Sequence, residues 1–279
     1  MKTNYAIKVN PDKKFQLSKI ETSPKTDETK ESAIEKLKVL GEELNHLQEL
    51  LHAAGTHSLL VVLQGMDTSG KDGAIRGVMK NFNPQGCRVE TFKVPISEEL
   101  AHDFLWRIHQ VTPPHGQIVV FNRSHYEDVL VVRVQKLAPP EVWKARYDHI
   151  NNFENLLAAQ NTIIVKCFLH ISKDEQEKRL LAREAEVEKA WKLTVNDWEQ
   201  REFWSDYQDA YQDALANCST PFAPWFVLPA DRKWFRNLAL AEVLVEALKP
   251  HKKEWLEALD KRSKKSLEEL KAFRASAVG

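Results

Sequence analysis

From residue 59 to 63 the chain reads Leu-Leu-Val-Val-Leu, an uninterrupted apolar run with the length and β-branched content of a strand buried on both faces, as in a parallel α/β sheet. Further strand-like runs follow at 88–93, 117–121, 162–171 and 225–228. Between them, apolar residues recurring at three- and four-residue steps predict helices over 72–81, 98–111, 126–136, 141–160, 173–188, 195–217 and 231–248. Strands alternating with helices predict an α/β fold, a parallel sheet flanked by crossover helices. Upstream, Ile34, Leu37, Leu40, Leu44, Leu47 and Leu51 mark an amphipathic helix over 28–52, and the first two dozen residues are polar and punctuated by proline. Near the end, a charged helix over 254–272 carries Trp255, Leu256, Leu259, Leu267 and Leu270, which are available to dock on this subunit or another. The expected organisation is an N-terminal extension and helix (1–54), a core (55–250) and a C-terminal charged helix (251–279).

The first strand runs into Gly65-Met-Asp67-Thr-Ser-Gly70-Lys71-Asp72-Gly73, a Gly-x4-Gly-Lys loop between a strand and a helix. In that context it reads as a phosphate cradle: Gly65 and Gly70 let the backbone turn its N–H groups toward phosphate oxygens, and Lys71 adds a point charge at the helix entry. The segment departs from the standard form twice. Asp72 stands where a Ser or Thr hydroxyl would meet Mg²⁺, and Asp67 places a carboxylate inside the loop. An anion in a phosphate cradle is unfavourable unless a cation lies between them. Bound Mg²⁺ is therefore expected, with Asp67 as its organiser.

The third strand ends at Asn122-Arg123-Ser124-His125-Tyr126-Glu127-Asp128. Strand C-termini converge on the site in such sheets, and Asn122 takes the position where an Asp is usual. A neutral amide cannot offset metal charge, which leaves that work to Asp67 and Asp128. Arg123 is placed to clamp phosphate bidentately; Arg133 is open between the same role and a surface ion pair. His125 is read as an oriented polar residue, not a general base, because a phosphate nucleophile needs little deprotonation near neutral pH. A second basic cluster contains Arg179, Arg183, Lys189 and Lys192, with Arg179 and Arg183 on one helical face. Glu184, Glu186 and Glu188 lie in the same segment, so a solvated, internally paired helix is its other reading. Its position after the fourth core strand is where P-loop kinases carry a mobile lid of arginines. That favours a lid at about 178–200.

Composition narrows the field. Lys plus Arg and Asp plus Glu each total 40 in 279 residues, so no global field favours nucleic acid or membrane, and any basic site is local. Cys87, Cys167 and Cys218 have no paired metal spacing and are read as reduced thiols. No apolar run approaches a signal-peptide core or a membrane span, which leads to the expectation of a soluble, cytoplasmic protein.

The loop GMDTSGKDG, the segment FNRSHYEDVLVVRV, the segment EKRLLAREAEVEKAWKLTVNDW and the run STPFAPWFVLPADRKWFRN resemble those of the type-2 polyphosphate kinases. The resemblance spans about 15–248. It implies a P-loop kinase core with a helical lid, Mg²⁺-dependent phosphoryl transfer between inorganic polyphosphate and a nucleotide, and assembly into dimers or tetramers. Polyphosphate carries about one negative charge per internal phosphate and calls for a groove of cations. Lys71, Arg123, Arg179, Arg183, Lys189 and Lys192 are expected to line it, with Arg76 and Lys80 as weaker candidates. No aromatic interleaving for base stacking accompanies them, which favours a polymer without bases over nucleic acid. The residue after Tyr126 separates subgroups of the family. Glu127 resembles the subgroup that accepts AMP as well as ADP, in which it would bind a second Mg²⁺; guanine nucleotides are left open. Glu186-Val187 replaces the common Asp-Pro of the lid.

Three other readings compete. An ATP-dependent nucleoside monophosphate kinase shares core and lid, a GTPase-like switch would need an Asn-Lys-x-Asp reader that the chain does not contain, and a polyanion-binding protein would need no turnover.

Overall fold

The computed structural model describes residues 3–185 and 195–276. Its sheet has six strands: β1 (Ile7–Lys8), β2 (Ser58–Gln64), β3 (Cys87–Thr91), β4 (Ile118–Asn122), β5 (Thr162–His170) and β6 (Trp225–Pro229). Their spatial order is β1-β6-β5-β2-β4-β3, parallel throughout except for β1, which runs antiparallel on β6. All seven residues of β2 are buried, as expected of a strand with helices on both sides.

Each parallel connection carries helical structure. The longer helices are α1 (Lys30–Ala54), α2 (Lys71–Met79), α6 (Pro140–Ala159), α7 (Lys173–Glu184), α8 (Val195–Glu202), α9 (Trp204–Asn217), α10 (Lys233–Leu248) and α11 (Lys252–Ser276); α3 (Ser97–Leu100), α4 (Trp106–His109) and α5 (Val131–Val134) are single turns. Thr29 and Ser32 close a capping box at the start of α1, and Gly55 ends it at φ 64°. Leu44, Leu47 and Leu51 bury its apolar stripe, whereas Ile34 at the N-terminal end stays exposed. The helix α10 is apolar almost all round, in keeping with its place packed on α1, α2, β5 and β6. In α11 Trp255 alone is buried.

Four expectations need correction. Residues 98–111 are not one helix, because Glu99 caps the amide of Ile96 and Asp103 caps that of Leu105, giving two separate turns. The stretch 126–136 is a 3-10 turn (His125–Asp128) followed by α5, interrupted at Leu130 (φ −104°, ψ −81°) and closed by Lys136 at φ 53°. The span 195–217 is split at Phe203 into α8 and α9. The polar N-terminus also contributes a strand: β1 joins β6, and Glu242 of α10 accepts from the amides of Asn4 and Tyr5 and from Asn4 Nδ2. The three cysteines are unpaired thiols, with Cys167 and Cys218 buried. Among the described residues, no helix is long and apolar enough to cross a membrane.

Candidate active site

The parallel register sets Leu63 beside Asn122, so the loop after β2 and the loop after β4 leave the sheet side by side. In the first loop Gly65 has φ 157° and Gly70 has φ 96°. A Cβ on Gly65 would lie 2.8 Å from the Leu169 carbonyl oxygen, and one on Gly70 2.1 Å from Arg236 Nη1. Gly65 thus needs glycine for conformation and for space, and Gly70 for its conformation. Gly70 caps α2, and Lys71 is its first residue. Gly73, one turn on, faces the Arg236 guanidinium.

Lys71 turns its ammonium back into the loop, donating to Gly65 O at 2.7 Å and Met66 O at 3.2 Å, with Ser69 Oγ at 3.5 Å. Burial, then the neighbouring Arg123 charge, lowers its pKa to about 8. Asp67 extends from the same loop and accepts from Arg123 Nη2 at 2.7 Å. Arg123 Nη1 lies 3.7 Å from Glu127 Oε2, so one guanidinium is bracketed by two carboxylates. Burial raises the pKa of Glu127 although Arg123 and Lys71 pull against it. Arg123 itself sits at φ 62°, its amide bonded to Leu63 O. Asn122 Nδ2 donates to Asp72 Oδ1 at 2.9 Å, joining a departure at the strand end to one in the loop.

Asp67, Lys71, Asp72, Asn122, Arg123 and Glu127 therefore meet at one end of the sheet. Other expected residues are engaged elsewhere. Asp128 turns to Arg146 of α6 (2.9 Å), and burial raises its pKa to about 6. Arg133 takes the ion-pair alternative: it bonds Asp213 at 2.7 Å and lies over the Trp143 ring at 4.7 Å. Arg179 is buried and clamps backbone, donating to the carbonyls of Thr68, Ser69, Ala230 and Asp231 and to Glu175. It thus supports the loop from beneath. Arg183 follows one turn later and is half-buried. Arg76 and Lys80 are exposed. Lys189 and Lys192 lie outside the described residues.

Several residues at the site carried no sequence signal. Gln176 of α7 donates to the Asp67 carbonyl at 3.3 Å and accepts from Arg201 of α8, which also bonds the Lys173 carbonyl and Glu177. Arg236 packs on Gly70 and Gly73; it lies within the segment ending DRKWFRN that carries the family resemblance, but nothing in the sequence pairs it with the loop.

The polyphosphate kinase 2 family model matches residues 27–255. An AMP/ADP-polyphosphate phosphotransferase of Meiothermus ruber is 51% identical over 243 residues, covering 86% of this chain and 91% of its own length. An ADP-polyphosphate phosphotransferase of Rhodopseudomonas palustris is 45% identical over 253 residues, with 86% and 88% covered. The crystal structure of polyphosphate kinase 2 from Arthrobacter aurescens TC1 superposes with a TM-score of 0.82 at 42% identity, over 85% of this chain and 86% of that one. A family match across most of the chain, two extensive relatives and a shared architecture agree with the loop and strand-end motifs: the chain belongs to the polyphosphate kinase 2 family.

Proposed function

We propose that this protein transfers the terminal phosphoryl group of inorganic polyphosphate to AMP and to ADP, with Mg²⁺, and that the reaction is reversible. The observation that carries the reading is the convergence of Lys71, Arg123 and Asp67 where β2 and β4 end. A nucleotide phosphate oxygen attacks the terminal phosphorus in line as the bond to the bridging oxygen breaks, so that the polymer leaves one phosphate shorter with that oxygen as its new end, and Lys71 and Arg123 stabilise the charge that develops on the transferring group. No covalent enzyme intermediate is needed. Asn122 and Asp72 hold each other beside the helix entry and orient the loop. Glu127 is assigned to the acceptor end, in keeping with the name of the Meiothermus ruber relative, which covers both AMP and ADP.

The donor set suits a hard cation. Asp67 and Glu127 offer carboxylate oxygens on either side of Arg123, and beside Glu127 the buried Gln64 Oε1 has no partner. Asp67 and Glu127 would hold Mg²⁺, which supplies charge neutralisation for the phosphates when bound. The polymer's path over the cradle toward Arg183 makes α7 and α8 part of a lid in this reading; the resemblance alone assigns Lys189 and Lys192, outside the described residues, to the polymer. The enzyme is taken to be cytoplasmic, consistent with its unpaired thiols, and to act as a dimer or tetramer on adenine nucleotides.

The competing donor is ATP. Supplying AMP with either long-chain polyphosphate or ATP as sole phosphoryl source decides between them: ADP formed from polyphosphate, with a rate that depends on chain length, is expected. Turnover with ATP alone and indifference to polyphosphate would make the protein an ordinary monophosphate kinase.

A further inference from the structure

Behind the turn that separates Arg123 from Glu127 lies a cluster of ionisable side chains that does not face the site. Tyr126, His125, Glu154 of α6 and Lys166 of β5 are all fully buried. Glu154 Oε1 accepts from Tyr126 Oη at 2.8 Å and lies 3.3 Å from His125 Nε2, while its Oε2 accepts from Lys166 Nζ at 2.5 Å. Lys166 also donates to Tyr126 Oη at 2.9 Å and to Cys218 O at 2.6 Å, so its three protons are all used. The Lys166 ammonium also faces the Tyr126 and Trp225 rings, at 5.4 and 5.3 Å. Burial works against charge on Glu154, yet Lys166 and His125 hold its carboxyl below the ordinary range.

A buried ion pair is weak ground for stability, because desolvation offsets much of its attraction. Its position gives it another use. Arg123 adopts φ 62°, which a non-glycine residue keeps only where its surroundings over-determine it. Upstream, its amide is tied to Leu63 O. Downstream, Ser124 Oγ accepts from Gln64 Nε2 and from the Tyr126 amide. The next two side chains, His125 and Tyr126, then turn inward to Glu154, while Arg123 and Glu127 face each other at the cradle.

We propose that Glu154 and Lys166 are positioning residues for the transfer reaction: through Tyr126 and His125 they anchor the turn from beneath and hold Arg123 and Glu127 in register with Asp67 and Lys71. This rests on the reading of Arg123 and Glu127 as site residues.

The test is the double variant Glu154→Gln/Lys166→Met, which removes both buried charges and leaves neither uncompensated. It is expected to fold with a thermal midpoint near that of the parent, yet to lose at least about tenfold in kcat, as misplacement of a clamping group does. The alkaline limb of kcat/KM should also move to higher pH, because a displaced Arg123 no longer depresses Lys71; a purely structural role would leave that limb in place. Tyr126→Phe keeps both charges, removes one hydroxyl and decides the matter if the double variant does not fold. Its kcat should fall about threefold, with the limb moving in the same direction. A folded variant with parental kcat and an unmoved limb overturns the proposal. Calorimetric binding of inorganic triphosphate as a function of pH reads the same displacement without turnover. A parent that binds triphosphate but transfers nothing from polyphosphate would sink the functional reading, and the binding titration of the variants would then decide the anchoring: a shifted titration sustains it and an unmoved one overturns it.

Discussion

Arg123 Nη2 donates to Asp67 Oδ1 at 2.7 Å, linking the loop that follows β2 to the loop that follows β4. One residue belongs to the phosphate cradle and the other to the strand-end motif, so this contact fixes the distance between the two halves of the site. With Lys71 behind the loop, it brings two cations and a carboxylate together where β2 and β4 end; in the proposed mechanism the cations would meet the transferring phosphoryl group and the carboxylate would hold the metal. Asp67→Ala and Lys71→Ala are each expected to lower kcat by about a hundredfold or more, the usual loss when a group acting on transition-state charge is removed. Steady-state rates at saturating polyphosphate and AMP check this; retention of more than about a tenth of the parental rate in either variant would remove that residue from the mechanism.

The pH dependence should expose Lys71. Burial, with help from Arg123, brings its pKa down to about 8, and a lysine is charged only below its pKa. As pH rises through that value the unliganded enzyme loses the charge that attracts phosphate, so kcat/KM should decline above about pH 8. Bound phosphate favours the charged form, which moves the corresponding limb of kcat to higher pH. A kcat/KM profile flat to about pH 10 would contradict the assignment.

Arg179 and Arg183 stand one turn apart on α7 and should respond differently to removal. Arg179 donates to four backbone carbonyls beneath the cradle. Arg179→Ala should therefore cost about 3 kcal/mol of stability, measured by denaturant unfolding, because it leaves buried acceptors without a partner. Arg183→Ala should leave stability near the parental value and raise the apparent KM for long polyphosphate more than that for nucleotide. An unchanged KM for long chains would count against the lid.

Glu127 carries the acceptor assignment. Replacing it with Asn, which the family resemblance associates with members that accept ADP only, should depress kcat/KM for AMP at least about tenfold more than for ADP, since the loss falls on interactions that position the shorter nucleotide. Parallel losses with both acceptors would place Glu127 in the shared machinery instead.

The form of the loop after β2 was legible because its signal is local: a buried strand, two glycines and a lysine within one short segment leave little room for another arrangement. Long-range partners were not. Nothing near Arg133 in sequence announces Asp213, 80 residues on, and nothing near Arg179 announces the carbonyls of Thr68 and Ala230. Helix breaks were missed where short polar side chains bond nearby backbone amides, as Asp103 does at Leu105. The strand β1 escaped because two residues carry no periodicity. Lys166 was hidden because a single charge in the apolar run of β5 reads as noise until its buried partners are in view.

Incubating the purified protein with Mg²⁺, long-chain polyphosphate and AMP, in the absence of ATP, and resolving the nucleotides by ion-exchange chromatography shows whether polyphosphate is the phosphoryl donor. ADP followed by ATP is the expected product sequence, with ATP also formed when ADP is supplied. Absence of any product from either acceptor, with polyphosphate still bound, would mean a polyanion-binding protein and not a kinase.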